Sequence, residues 1–175
     1  MKTNIKFAKV KPDAKIPSKR KEDMAFDIYA CFEEDYIVIL PHETKLIPTG
    51  IASSCDPEYG FLLRERGSTG SQGIALRCGV LDSGYRNEWF VGLTNSTNEY
   101  MFITKLSPEE TLKDYFGKFK DILAESGFTF YPYTKAIAQA LIIPVPEVEV
   151  EELTYEDLQA IPSERGLGAL GSSGK

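Results

Sequence analysis

Residues 45–63 read Lys45-Leu46-Ile47-Pro48-Thr49-Gly50-Ile51-Ala52-Ser53-Ser54-Cys55-Asp56-Pro57-Glu58-Tyr59-Gly60-Phe61-Leu62-Leu63. Two short apolar runs, Lys45–Ile47 and Phe61–Leu63, stand beside the turn signals Pro48-Thr49-Gly50 and Pro57-Glu58-Tyr59-Gly60. Neither run is long enough for a helix, and the Pro and Gly clusters punctuate at turn positions, so both are predicted strands. The same rhythm extends outward through Ile5–Val10, Phe26–Cys31, Tyr36–Leu40, Trp89–Thr94 and Ile137–Ile143, with Pro12, Pro41 and Asp82-Ser83-Gly84 between them. Short strands at such spacing predict an all-β, jelly-roll-like barrel or sandwich.

One segment departs from this pattern. Ser107-Pro108-Glu109-Glu110 is a capping box with proline at the first helical position. Leu112, Tyr115, Phe116, Phe119, Ile122 and Leu123 then recur at helical spacing up to Ser126-Gly127. The prediction is one amphipathic helix over 108–125, inside an inserted segment of about 97–133. Its apolar stripe needs a cover, either the domain's own surface or another protein. Further on, Glu147–Asp157 is acidic with alternating Val148 and Val150, and reads as a last strand followed by a linker. The expected organisation is a β domain over 1–160 and a glycine-rich, flexible C-terminal arm over 161–175.

Composition narrows the function. The chain has 175 residues, 42% hydrophobic and 26% charged, with a formal net charge of −6. That charge argues against a general nucleic-acid binder. There is no apolar run near the roughly 18 residues of a membrane span and no signal peptide, so no membrane association and a cytoplasmic location are expected. Cys31, Cys55 and Cys78 form no C-x-x-C pair and read as buried free thiols, and the one histidine, His42, follows Pro41 in a turn-like stretch. A histidine triad or a zinc site is therefore excluded, and any catalysis rests on carboxylates, Arg, Tyr, backbone groups and an added ion.

Four places carry polar groups suited to chemistry. Cys78-Gly79-Val80-Leu81-Asp82-Ser83-Gly84-Tyr85-Arg86 reads as a tight hairpin. In it Gly79 permits close backbone approach, and Asp82 is either a turn former or a carboxylate aimed into a cleft. Arg66-Gly67-Ser68-Thr69 follows a strand and offers a guanidinium, hydroxyls and backbone N–H groups, either as a solvated turn or as a phosphate site. Gln139 sits inside an apolar run and needs a backbone or ligand partner. The arm, Arg165 to Lys175, would lose roughly 1–2 kcal/mol of backbone entropy per residue on ordering, so an anion is needed to hold it. It is not a P-loop, because Ala169 stands at the first glycine and nothing follows Lys175.

Taken in order, these segments resemble the trimeric dUTP diphosphatases (dUTPases). The resemblance covers nearly the whole chain: Ala25 to Ala30, Arg66 to Thr69, Gly79 to Glu88, Ala136 to Ala140 and Arg165 to Gly174 stand where the family has its five motifs. It implies a jelly-roll subunit in a homotrimer whose active sites are shared, with dUTP as substrate and dUMP and pyrophosphate as products. Asp82 would orient the water that attacks the α-phosphorus. Tyr85 would pack under the deoxyribose, and backbone groups at Gly79 and Leu81 would read uracil. Arg66, Gly67, Ser68 and Gln139 would bind the phosphates. Asp27 would support the Mg2+ of the triphosphate indirectly, through water. Arg165, Leu170, Gly171, Ser172 and Ser173 would close the arm over the nucleotide.

Four positions depart from the family pattern. Gly67 stands where many relatives have Ser, Ala136 where an Arg is usual, Asn87 where a Gly is usual, and Leu170 where an aromatic ring covers the base. The segment between the third and fourth motifs is longer than in compact relatives and is similar to phage-encoded dUTPases. That leaves a second reading, a phage-type module that binds a regulatory protein through the inserted helix. The dCTP deaminases share the fold, but their glutamate aligns with Gly92, so deamination is not expected.

Overall fold

The computed structural model describes residues 3–118 and 127–168. In chain order the strands are β1 (Lys6–Lys9), β2 (Phe26–Tyr29), β3 (Tyr36–Ile39), β4 (Thr44–Pro48), β5 (Ile51–Ser54) and β6 (Tyr59–Arg64). After the single-turn helix α1 (Gly67–Gly70) come β7 (Ile74–Arg77), β8 (Val80–Leu81), β9 (Phe90–Asn95) and β10 (Tyr100–Thr104). Helix α2 (Pro108–Lys118), β11 (Phe128–Pro132), β12 (Ala136–Pro144) and helix α3 (Tyr155–Ala160) complete the order. The chain divides into two compact units, Met1–Val145 and Pro146–Lys175.

The first unit is the predicted jelly roll, with small sheets wrapped around one core. The sheets run β1-β5, β11-β10-β3, β2-β12-β6-β8 and β4-β9-β7. Alternation places Ile28, Ile39, Ile47, Val91, Leu93, Ile103 and Ile137 inside, each essentially without solvent contact. Trp89 is fully buried, edge-on to Phe7 and Phe61 at ring separations of 5.7 and 4.9 Å. Truncating so large a ring costs about 3–5 kcal/mol. Its indole N–H has no hydrogen-bond partner, a cost of about 1–3 kcal/mol that this packing offsets.

The capping box forms as predicted. Ser107 Oγ accepts from the Glu110 N–H at 3.3 Å, and the Ser107 N–H donates to Glu110 Oε2 at 3.0 Å. Helix α2 lies in the crossover between β10 and β11, which pair in parallel, and a parallel pair requires such a crossover. Tyr115 and Phe116 face an aromatic sheet surface of Tyr36, Tyr100, Phe102, Phe128 and Phe130, so these two residues of the stripe are covered by the chain itself, while Leu112 is half-buried. Lys118 and then Tyr36 hydrogen-bond the Asp114 carboxylate at 2.6 and 2.7 Å and hold it below its ordinary proton affinity. Phe119, Ile122 and Leu123 lie outside the described residues.

Two expectations are corrected. No hairpin forms over 78–86. Instead β8 pairs with β6, and the chain then turns and runs without strand to β9 in another sheet. The cause is Gly79: its carbonyl accepts from the Leu63 N–H at 2.6 Å, and a Cβ there would lie 2.5 Å from the Leu63 carbonyl oxygen. The second correction concerns 147–157, which contains no strand. Val148 and Val150 are exposed, and Thr154 caps α3 by accepting from the Asp157 N–H at 3.1 Å. A strand needs an edge to pair with, whereas a capped turn closes on its own residues.

Candidate active site

Register builds the first half of the site. Gln139 on β12 stands opposite Asp27 on β2 and Arg64 on β6. Chain leaving β6 passes extended through Arg66 into α1. This brings Arg66 Nε to 3.2 Å from Asp27 Oδ1 and lets Arg66 Nη1 donate to the Ala136 carbonyl at 3.3 Å. Gln139 Nε2 donates to the Glu65 carbonyl at 2.8 Å, which gives this half-buried amide the backbone partner it needs. Asp27, Arg66, Gly67, Ser68 and Gln139 together line a cleft of about 820 Å³.

The far wall of that cleft is the loop from Ser18 to Met24, which reading of the sequence did not single out. An Asp27 N–H to Ser18 carbonyl bond of 2.9 Å ties it to β2. It contributes Lys19, Arg20 and Asp23, so the cleft holds three cations and two carboxylates within an acidic chain. Asp23 is held below its ordinary proton affinity by hydrogen bonds from Arg20, side chain first and then backbone. The only sequence signal was Lys19-Arg20-Lys21, and Glu22-Asp23 directly after it makes the run look like a solvated charge cluster.

The second half is the loop after β8. Tyr85 N–H donates to the Asp82 carbonyl at 3.1 Å, closing a turn that leaves both side chains exposed. Arg86 Nη1 sits behind this turn and donates to the carbonyls of Ser83, Tyr85 and, on β5, Ser53. Tyr85 Oη donates to the Glu88 carbonyl at 3.0 Å, and Glu88 Oε1 accepts from the Gly50 N–H at 2.7 Å. Cys78, just before Gly79, is exposed, unlike the buried Cys31 and Cys55, against the expectation of a buried thiol; it takes a left-handed φ of 55°, at a cost on the order of 1 kcal/mol. Another cleft, of about 550 Å³, is walled by Arg64, Arg77 and Gly79 and contains neither Arg66 nor Asp82.

The two halves do not meet within one chain. Leu81 pairs with Phe61 near the start of β6, whereas Arg66 lies two residues past its end. At ~3.3 Å per residue, Asp82 and Arg66 are about 20 Å apart. Arg165 lies in the second unit, where its Nε donates to the Gly168 carbonyl at 3.1 Å. Leu170, Gly171, Ser172 and Ser173 lie outside the described residues. Gly92 sits on the central strand β9, where a Cβ would be 3.0 Å from the Arg77 carbonyl oxygen, so a glutamate has no room there.

The chain is similar to known proteins over nearly its whole length. The deoxyuridine 5′-triphosphate nucleotidohydrolase of Nautilia profundicola is 33% identical over 175 residues, spanning 98% of this chain and 99% of its own. That of Clostridioides difficile is 30% identical, with 98% of each chain covered. Among solved structures, a Staphylococcus bacteriophage 80alpha dUTPase with dUPNHPP superposes with a TM-score of 0.70 at 20% identity, covering 98% of this chain and 99% of that one. The dUTPase from phage phi11 of S. aureus, solved to visualise its species-specific insert, gives 0.65 at 20% identity, with 86% and 96% covered. These two share the fold. Residues 12–107 match the dUTPase family profile, and with the full-length relatives this establishes that the chain belongs to the dUTPase family.

Proposed function

We propose that the protein hydrolyses dUTP to dUMP and pyrophosphate, in a homotrimer that completes each active site from more than one subunit. The observation that carries this reading is the split at β6: phosphate-binding groups at one end, Asp82 and Tyr85 about 20 Å away at the other. A closed ring of identical subunits brings one chain's Asp82 to another's Arg66.

The chemistry follows from the groups present. Asp82, exposed on its turn, accepts a hydrogen bond from water and aims its oxygen at the α-phosphorus. As the oxygen–phosphorus bond forms, the water's proton passes to the carboxylate, and the α–β bridging oxygen leaves with pyrophosphate. Tyr85 presents its ring, fixed by the bond to the Glu88 carbonyl, as the floor under the sugar. Arg66, held by Asp27, and the polar groups of Gly67, Ser68 and Gln139 take the phosphate oxygens. Among the described residues no three carboxylate, histidine or cysteine groups cluster as a metal cage. Magnesium would come with the triphosphate, Asp27 would support it through water, and the ion would neutralise phosphate charge. The arm, with Arg165, Leu170, Gly171, Ser172 and Ser173, closes over the bound nucleotide and excludes water.

The test is complementation. Asp82→Asn and Arg66→Ala are each expected to be nearly inactive on dUTP. Unfolded together and refolded as mixed assemblies, they should regain activity far above either alone, with no turnover of dCTP, dTTP or UTP. Mixed assemblies that form but stay inactive would sink the shared site, and an active monomer would do the same.

A further inference from the structure

The cations of the 820 Å³ cleft are not equivalent. Arg20 is closed onto Asp23, with Nε 2.9 Å from Oδ2 and Nη2 2.9 Å from Oδ1. Arg66 is closed onto Asp27. Lys19 has no carboxylate within ion-pair distance among the described residues. Its Nζ instead donates to two backbone carbonyls of its own loop, Asp23 at 2.6 Å and Arg20 at 3.3 Å, and stands 5.7 Å from the Phe26 ring centre. Asp23 feels its charge, yet Arg20 dominates that carboxylate. Lys19 therefore carries the positive charge that the cleft leaves unneutralised.

The loop is built to keep it there. Arg20 N–H donates to Asp23 Oδ2 at 3.1 Å, Asp23 N–H donates to the Arg20 carbonyl at 3.2 Å, and Ser18 is bridged to Asp27 on β2. The facing strand supplies no cation, since Ala136-Ile137-Ala138-Gln139-Ala140 is neutral. Neutral carbonyls are weaker partners for an ammonium than phosphate oxygens, and an exposed lysine can turn from one to the other.

We propose that Lys19 binds the terminal phosphates of the triphosphate, its Nζ leaving the Asp23 and Arg20 carbonyls for phosphate oxygen, with the Arg20–Asp23 pair as its mount. This rests on the triphosphate reading above. The test is calorimetry on the full chain at low salt, without divalent ions, using inorganic tripolyphosphate and, separately, dUMP. Lys19→Gln is expected to weaken tripolyphosphate binding about tenfold while dUMP binding changes less than about twofold. Lys19→Arg should keep most of the affinity, and added salt should shrink the difference. Unchanged tripolyphosphate affinity in Lys19→Gln overturns the proposal, as does an equal loss for dUMP or wild-type protein that binds no tripolyphosphate. A Lys19-dependent tripolyphosphate site in protein that leaves dUTP intact would keep this inference and end the hydrolase reading.

Discussion

Arg66 is paired with a carboxylate, whereas the side chains around Asp82 reach backbone groups. At the phosphate end of β6, half-buried Asp27 on β2 pairs with Arg66, Arg66 also reaches the Ala136 carbonyl on β12, and the Gln139 amide reaches the Glu65 carbonyl. At the other end, Asp82 and Tyr85 hang from a two-residue strand, and Arg86 and Glu88 hold the loop by reaching the Ser53 carbonyl on β5 and the Gly50 N–H. The difference teaches where each end is vulnerable. Phosphate-side geometry rests on an ion pair that one change of charge breaks, whereas the loop rests on Arg86 and Glu88 and on the backbone groups they reach.

The largest expected effect comes from Asp82→Asn, because nothing in the braced half replaces the lost base. Turnover should fall about 10²- to 10⁴-fold, with a non-hydrolysable dUTP analogue still bound nearly as well. Full turnover in steady-state assays would break the assignment. A paired substitution sharpens the comparison next. Gly79→Ala forces a methyl group against the Leu63 carbonyl, so it should lower stability by about 1–3 kcal/mol in denaturant melts. Gly67→Ala meets nothing within 4 Å and should leave the melt unchanged or slightly raised. Equal effects from the two would mean that β8 does not depend on close approach. Smallest is Gln139→Leu, which deprives the Glu65 carbonyl of its donor at a cost of about 1 kcal/mol. It should raise KM for dUTP with kcat little changed, and a kcat loss alone would place Gln139 differently.

Much of this was legible in the sequence because the signals were local. Apolar runs such as Phe61–Leu63 and Ile137–Ile143 could only be strands, and Ser107 with Glu110 announced α2. What stayed hidden depends on distant partners. Ile51–Ser54 has one large apolar residue followed by Ala and two Ser, and becomes a strand because β1 lies alongside it. Val148 and Val150 alternate like a strand but meet no partner edge. The phosphate-side residues came from motif order, whereas Lys19 became visible only once Ser18 was seen bridged to Asp27.

Trp89 gives the molecule a built-in optical gauge. It is the sole tryptophan of the chain, buried between Phe7 of β1 and Phe61 of β6 and three residues past Arg86. An indole in so apolar a seat, with its N–H bonded to nothing, emits toward the blue. Its emission therefore follows one location in the main core, three residues past the loop that carries Asp82 and Tyr85, and a red shift registers water reaching that core.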